Sequence, residues 1–165
     1  MLFFLGSFFI AFCTLALHAF INRYSSSYGF FDLGFCCYLC LSLSLFQPHR
    51  SLKRNILNTI LIGSSFAFCY DLFSLNAIGT YLIPFFLISI IFSINIRLIN
   101  GMLWGGRLIF FITLSTLYQI SCFLILIIQR TIEWSSFNIF LILNSSLLNS
   151  MFMLLCISLL NKEEK

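Results

Sequence analysis

Long apolar runs, almost free of charge, constrain the fold of this chain more than any other feature of its sequence. Charged residues make up only 8% of the chain, and apolar residues make up 61%. A soluble domain is about a quarter charged, so this chain has too few charged side chains to cover a water-facing surface. We therefore expect a membrane protein whose main solvent is the lipid bilayer.

Six apolar segments are long enough, or nearly so, for transmembrane helices of roughly 20 residues. The predicted spans are residues 2–21, 30–46, 55–73, 77–94, 108–128 and 137–160. The sequence thus predicts an all-α, polytopic membrane protein with six transmembrane helices, folded as a single domain over residues 1–165. Pro84 is expected to kink the fourth span. The more polar stretch 95–107 is expected on the membrane surface as a short amphipathic turn or helix.

The distribution of Lys and Arg predicts the orientation, because cytoplasmic loops of membrane proteins are enriched in basic residues. With six spans and a cytoplasmic N-terminus, most basic residues fall on the inner side. The inner set is Arg50, Lys53, Arg54, Arg97, Arg107, Lys162 and Lys165, and the outer set is Arg23 and Arg130. We therefore expect both termini in the cytoplasm.

Asp71 is the most informative polar residue inside the apolar segments. Gly63, Ala67 and Asp71 are spaced four apart and share one helix face, where small residues allow a second helix to approach closely. In a structural interpretation, Asp71 bonds backbone amides or a neighbouring helix and fixes the turn into the fourth span. In a functional interpretation it carries protons or ions. A relay needs further ionisable partners, and His18 and Asp32 are the only candidates in the sequence.

A second group of polar residues lies in spans five and six. Its members are Tyr118, Gln119, Ser121, Asn144, Ser145, Ser146, Asn149 and Ser150. Such residues commonly form hydrogen bonds between membrane helices, which is the interpretation we favour. A lining for a polar ligand is the alternative.

No catalytic or cofactor-binding motif accompanies these residues. Cys37-x-x-Cys40 has the spacing of a zinc or redox motif, but it lacks a second pair, and its apolar surroundings disfavour a thiolate. The sequence contains no Ser/His/Asp set, His-rich metal motif or phosphate-binding glycine loop, and its basic residues form no stripe for nucleic acid. We expect a protein that is not an enzyme and that binds no cofactor, metal or nucleic acid.

The segment that joins the third and fourth spans resembles a known family. It reads Gly63-x3-Ala67-x3-Asp71-x2-Ser74-x4-Gly79. This pattern is similar to the signature region of the MreD family of rod-shape-determining membrane proteins, where small residues precede an acidic residue and then Ser and Gly. Residues 47–50 also resemble the family's short cytoplasmic connection. In contrast to the family's pattern, no proline precedes Asp32.

The resemblance implies a non-enzymatic scaffold of the bacterial inner membrane. Such a protein would act with an MreC-like protein and cell-wall synthase components in peptidoglycan synthesis, and so in cell shape. The resemblance also implies a packing and docking element formed by Gly63, Ala67, Asp71, Ser74 and Gly79. It implies a fold similar to the substrate-binding subunits of energy-coupling-factor transporters.

Two other functions stay open. A substrate-binding subunit of a vitamin transporter would have the same number of spans, although Ala11, Ala16 and Ala19 miss the Ala-x3-Ala spacing expected for docking in the first span. An ion-coupled small transporter would use Asp71 and His18. The sequence offers it only one well-buried carboxylate and no inverted repeat.

Overall fold

The computed structural model describes residues 2–24, 32–45, 52–73, 79–130, 132–133 and 138–160, and the side chains of most of them. Within these ranges the only regular structure is helical. The six helices are α1 (Leu2–Tyr24), α2 (Leu33–Ser44), α3 (Leu52–Phe73), α4 (Leu82–Gly101), α5 (Trp104–Ile128) and α6 (Ile139–Leu160). The predicted all-α class is therefore confirmed.

Three of the six helices are long and apolar enough to cross a membrane. The qualifying segments are Leu82–Ile99, Trp104–Ile128 and Ile139–Ser158. Helix α2 has 12 residues, which give a length of about 18 Å against a hydrocarbon core of about 30 Å. Helix α3 begins with Lys53, Arg54 and Asn55, and these residues lower its hydropathy. The structure thus contains the six predicted helices, of which three have the length and composition of a span.

The prediction of a separate surface segment over residues 95–107, after α4, is wrong. Helix α4 includes Asn95 and Arg97 in its last turns and continues to Gly101. The stretch 95–107 therefore forms no separate surface segment. Only a short break separates α4 from α5, and the Arg107 guanidinium bridges it by donating from Nε to the Ile99 carbonyl at 3.0 Å. Pro84 lies in the first turn of α4, where its missing N–H removes no intrahelical bond.

The distribution of polar and apolar residues differs from that of a soluble protein. Buried positions include many serines, together with Thr59, Asn149 and Asp71, whereas Ile83, Ile109 and other large apolar side chains are exposed on the outer faces of α4, α5 and α6. Soluble monomers rarely expose contiguous apolar surface of this kind. In a bilayer the exposed side chains contact lipid tails, and polar groups find partners between helices.

Aromatic rings fill the centre of the bundle and join four helices. Phe35 of α2 stacks on Tyr118 of α5 with ring centroids 4.3 Å apart. Phe85 of α4 meets Tyr38 edge-on at 5.2 Å, and Phe66 of α3 packs on the same Phe85 ring. Aromatic pairs at such distances contribute about 0.5–1.5 kcal/mol beyond the burial of their area, so this cluster fixes how α2, α3, α4 and α5 meet.

Specific contacts define the relative directions of the helices from α2 to α6. The end of α3 meets the start of α4 at Asp71 and Tyr81, and Asp32 at the start of α2 meets Tyr70 near the end of α3. Both pairs are therefore antiparallel. Thr80, just before α4, bonds Gln129 at the end of α5, and Asn138, just before α6, lines the same cavity as Asp32 and Tyr81. The start of α2, the end of α3, the start of α4, the end of α5 and the start of α6 therefore share one end of the bundle, which we name the Asp71 end.

Candidate functional site

Asp71 builds the turn between α3 and α4. Its side chain is only 4% exposed, and both of its carboxylate oxygens are used. The Gly79 N–H donates to Oδ2 at 2.6 Å, and the Tyr81 N–H donates to Oδ1 at 3.0 Å. A carboxylate beside the amides that precede a helix also interacts favourably with the helix dipole. These bonds confirm the prediction that Asp71 holds backbone amides at the turn into the fourth span.

Gly79 completes this turn through its backbone conformation. Its φ is +100°, and a Cβ added there would meet no atom within 4 Å. Glycine is needed because this backbone region is unfavourable for L side chains, and crowding is not the reason. Next to it, the Thr80 hydroxyl donates to the side-chain oxygen of Gln129 at 2.9 Å, which ties the turn to the end of α5. Ser74, the remaining member of the motif in this region, lies outside the described residues.

The face that carries Gly63 and Ala67 packs inside the chain itself. A Cβ on Gly63 would lie 2.6 Å from Ser89 Oγ and 3.3 Å from the Tyr38 ring, and Ala67 is fully buried. The Ser89 hydroxyl donates to the Phe85 carbonyl at 2.6 Å. Its single proton is thereby used, so the Tyr38 hydroxyl is the donor in the 2.6 Å bond between these two side chains. The expected small-residue face is present, and helices α2 and α4 occupy it.

Asp32 and Asn149 form a polar junction between distant helices. Asp32 caps α2 by accepting from the Phe35 N–H at 2.8 Å, and it also accepts a hydrogen bond from the Tyr70 hydroxyl. The Asp32 N–H donates to the side-chain oxygen of Asn149 at 2.9 Å, and the Asn149 amide donates to Ser115 Oγ at 3.0 Å. One chain of bonds therefore links α3, α2, α6 and α5.

The predicted relay partners do not converge in the part of the chain that the structure describes. Asp71 bonds the main chain of the α3–α4 turn, whereas Asp32 bonds Tyr70 and the main chain of α2. The side chain of His18 lies outside the described residues. Asp32 and Asp71 thus serve two separate hydrogen-bonded structures, although both lie at the Asp71 end.

Helices α5 and α6 are joined by a row of side-chain hydrogen bonds. Gln119 donates to Ser145 at 2.8 Å, and the hydroxyls of Thr116 and Ser146 are hydrogen-bonded at 3.0 Å. Asn149 continues the row through its bond to Ser115. This confirms interhelical bonding for Gln119, Ser145, Ser146 and Asn149. Of the other predicted members, Ser121 and Ser150 bond carbonyls of their own helices, and Asn144 is exposed.

A cavity of about 390 Å³ lies beside the polar junction at the Asp71 end. Its polar residues are Asp32, Tyr70, Tyr81, Tyr118, Gln119 and Asn138, and apolar residues of α5 and α6 supply most of the remaining wall. Its volume lies within the range of roughly 300–1,000 Å³ typical of small-molecule sites. Tyr118 and Gln119 therefore also fit the alternative prediction, a lining for a polar ligand, because they line a space that can hold one.

The described residues contain no group of three or more His, Cys, Asp or Glu side chains that could hold a metal ion. The Cys37-x-x-Cys40 pair forms no disulfide, and the Cys40 thiol instead lies 3.5 Å from the sulfur of Met153. The polar side chains near the Asp71 end thus form hydrogen bonds with main-chain amides or with other helices, or they line the cavity.

Sequence reasoning identified Asp71 but missed the junction of Asp32, Tyr70 and Asn149. One local signal was available for Asp32, since an aspartate directly before an apolar helix is a typical N-cap.

No family model, curated protein or solved structure matches this chain.

Proposed function

We propose that this chain is a non-enzymatic scaffold subunit of the bacterial cell-elongation machinery, similar to MreD proteins. One observation carries the proposal: two members of the resembling motif, Asp71 and Gly79, bond each other and shape the α3–α4 turn. On this proposal the small residues, the aspartate and the glycine of the motif have a structural role and take part in no reaction. The partners would be an MreC-like protein and components of the cell-wall synthase.

The geometry refines the role of the motif in this proposal. Gly63, Ala67 and Asp71 are buried against the chain's own helices, so they would support docking indirectly, by fixing the α3–α4 hairpin. A partner would contact the exposed surface of that hairpin. Variants of Asp71 or Gly79 would therefore weaken partner binding to the extent that they disturb the turn.

Co-purification tests the scaffold proposal. The tagged chain is solubilised from its native membrane in a mild detergent, and an MreC-like protein is quantified in the eluate. We expect the partner with the wild-type chain and less of it with Asp71→Ala and Gly79→Val. Gly6→Ala is the control, because a Cβ at Gly6 meets no atom within 4 Å. The proposal is overturned if the wild-type chain retains no such partner, or if both variants retain it fully.

For localisation we propose a multi-pass protein of the bacterial inner membrane with six spans and both termini in the cytoplasm. The basic residues on the 50–54 segment and in the C-terminal tail support this orientation. One contact runs against strict alternation of the spans. Phe8, near the start of α1, packs on Phe68, near the end of α3, with ring centroids 6.2 Å apart. That pairing is typical of antiparallel helices, whereas alternation makes α1 and α3 parallel.

Reporter fusions at the N-terminus, within residues 47–54 and at the C-terminus test this topology. All three are expected to report the cytoplasm. If the 47–54 segment and the C-terminus lie on opposite sides, the six-span arrangement is wrong. If only the N-terminus lies outside, α1 has the direction that the Phe8–Phe68 contact indicates, and the number of spans is not six.

The cavity favours a second candidate function, that of a substrate-binding subunit of a vitamin transporter. Its volume of about 390 Å³ suits a small molecule. On this alternative, the purified chain carries a small molecule that mass spectrometry detects after denaturation, and it co-purifies with a transport ATPase in place of an MreC-like protein. The co-purified partner therefore distinguishes the two functions.

A further inference from the structure

The cavity at the Asp71 end has a carboxylate held in a fixed orientation. Oδ1 of Asp32 accepts from the Phe35 N–H and from the Tyr70 hydroxyl. Among the described residues, no hydrogen bond reaches Oδ2. Since Asp32 lines the cavity, this second oxygen is the one available to a bound molecule.

A second polar group at the cavity has no partner. Tyr118 is 2% exposed, it lines the same cavity, and its hydroxyl has no hydrogen-bond partner within the described part of the chain. Buried hydroxyls are nearly always bonded, because an unbonded one loses its water without compensation. The Tyr118 hydroxyl is thus an unsatisfied polar group in the wall beside the cavity. This observation is independent of the orientation of Asp32.

The other groups at the cavity indicate the charge of that ligand. Tyr70 and Tyr81 pack with ring centroids 5.1 Å apart, and together with Tyr118 they bring three aromatic rings to the cavity that Asp32 lines. Aromatic rings attract cations through their negative faces, most strongly when water is excluded. No Lys, Arg or His belongs to the lining among the described residues. An anion would therefore meet the Asp32 carboxylate with no compensating positive charge from these lining residues.

We propose that this cavity binds a small organic cation, with its ammonium group at Asp32 and the tyrosines and its apolar body against Leu126 and Leu141. A bare metal ion is a poor fit, because Asp32 is the only carboxylate among the described residues of the lining. The ammonium donates to Oδ2 of Asp32, and the tyrosine rings lie beside it in the wall of the cavity. This proposal rests on the cavity alone and holds for a scaffold as well as for a transporter subunit.

Three probes of the same shape and different charge test the proposal. They are 4-phenylbutylamine, 4-phenylbutan-1-ol and 4-phenylbutanoic acid. The full chain is reconstituted in nanodiscs of zwitterionic phosphatidylcholine, and binding of the radiolabelled amine is measured by scintillation proximity against protein-free nanodiscs. The alcohol and the acid are added as competitors. We expect saturable binding of the amine, at least tenfold weaker competition by the alcohol, and none by the acid.

Three variants, each compared with the wild-type chain, locate the site. Asp32→Asn keeps an N-cap acceptor for α2 and is expected to weaken amine binding about tenfold, while the affinity for the alcohol stays the same. Leu126→Trp is expected to fill the cavity and abolish binding of all probes. Leu117→Trp is its matched control, because Leu117 is an exposed side chain of the same helix and is expected to leave binding unchanged.

Several outcomes would overturn the proposal. One is the absence of saturable amine binding to the wild-type chain, and another is equal competition by the amine and the alcohol. A third is wild-type affinity for the amine in both Asp32→Asn and Leu126→Trp. If Asp32→Asn does not fold, the comparison of Leu126→Trp with Leu117→Trp decides. A cation site is independent of the MreC-like partner, so this experiment can fail while the scaffold proposal holds, and the reverse.

Discussion

Asn149 accepts a hydrogen bond from the main-chain N–H of Asp32, a residue 117 positions earlier in the chain. The same side chain donates to Ser115, and the Cys36 thiol lies 3.7 Å from its Oδ1 and 3.6 Å from the main-chain carbonyl of Asn149. A single amide thus satisfies main-chain and side-chain groups of two other helices. This junction and the aromatic cluster both hold the short helix α2 in the bundle.

Replacing Asn149 is expected to destabilise the fold. Asn149→Leu leaves the Asp32 N–H and the Ser115 hydroxyl without this partner inside the bundle, at a cost of about 1–3 kcal/mol for each group left unsatisfied. Unfolding by sodium dodecyl sulfate in mixed micelles measures the loss. Asn144→Leu is the control on the same helix, because Asn144 is exposed. Equal stability of the two variants would contradict the role of the junction.

Asp71→Ala is expected to lower the free energy of unfolding by about 1–3 kcal/mol, because the Gly79 and Tyr81 amides both lose their acceptor. Asp71→Asn keeps one acceptor oxygen and is expected to fall between the wild type and Asp71→Ala. Thermal unfolding of the three chains in the same detergent checks this order. If the alanine variant is as stable as the wild type, the carboxylate does not hold the turn.

Gly63→Ala is expected to destabilise by about 1–3 kcal/mol, the usual range for overpacking in a close-packed core. The added Cβ would lie 2.6 Å from Ser89 Oγ, and that hydroxyl is bonded to Phe85 and Tyr38. Gly63→Ala combined with Ser89→Ala is expected to cost less than the sum of the two single changes, because the second change removes the clashing atom. Strict additivity in this cycle would rule out the clash. Gly101→Ala is a control in open space.

Gly79 and Gly6 are expected to respond to alanine in opposite directions. Neither added Cβ meets an atom within 4 Å, so backbone conformation alone decides. Gly79→Ala forces a side chain into a positive φ and is expected to cost about 1–3 kcal/mol. Gly6→Ala lies inside α1 and is expected to stabilise by up to about 1 kcal/mol, since alanine is the better helix former. Thermal midpoints of both variants check the sign, and destabilisation by Gly6→Ala would contradict it.

The contacts within and next to the α3–α4 hairpin were predictable from sequence because they are local. Asp71 and Gly79 are eight residues apart, and four-residue spacing placed Gly63 and Ala67 on the face of Asp71. The bond between Asp32 and Asn149 was not predictable. The helices that carry these residues are apolar on nearly all sides, so hydrophobic periodicity does not reveal which faces meet or which helices are neighbours.

The limits of the spans were equally hard to predict. Hydropathy treats residues 95–107 as too polar for a span, yet α4 continues through Asn95, whose side chain donates to the Ile91 carbonyl of its own helix at 2.8 Å. A polar residue that bonds its own backbone needs no partner from another helix. Sequence polarity alone therefore ended this helix too early.

The row of hydrogen bonds between α5 and α6 has a consequence for assembly in lipid. Burial of apolar surface alone favours no particular rotation of a membrane helix, because lipid tails are as apolar as the neighbouring helices. Rotating α6 by half a turn about its axis would direct Ser145, Ser146 and Asn149 into hydrocarbon, where polar groups find no partner. These three side chains therefore select one rotation of α6 about its axis among many of similar packing energy. Without them, α6 would still insert into the membrane but would pack against the other helices in several orientations.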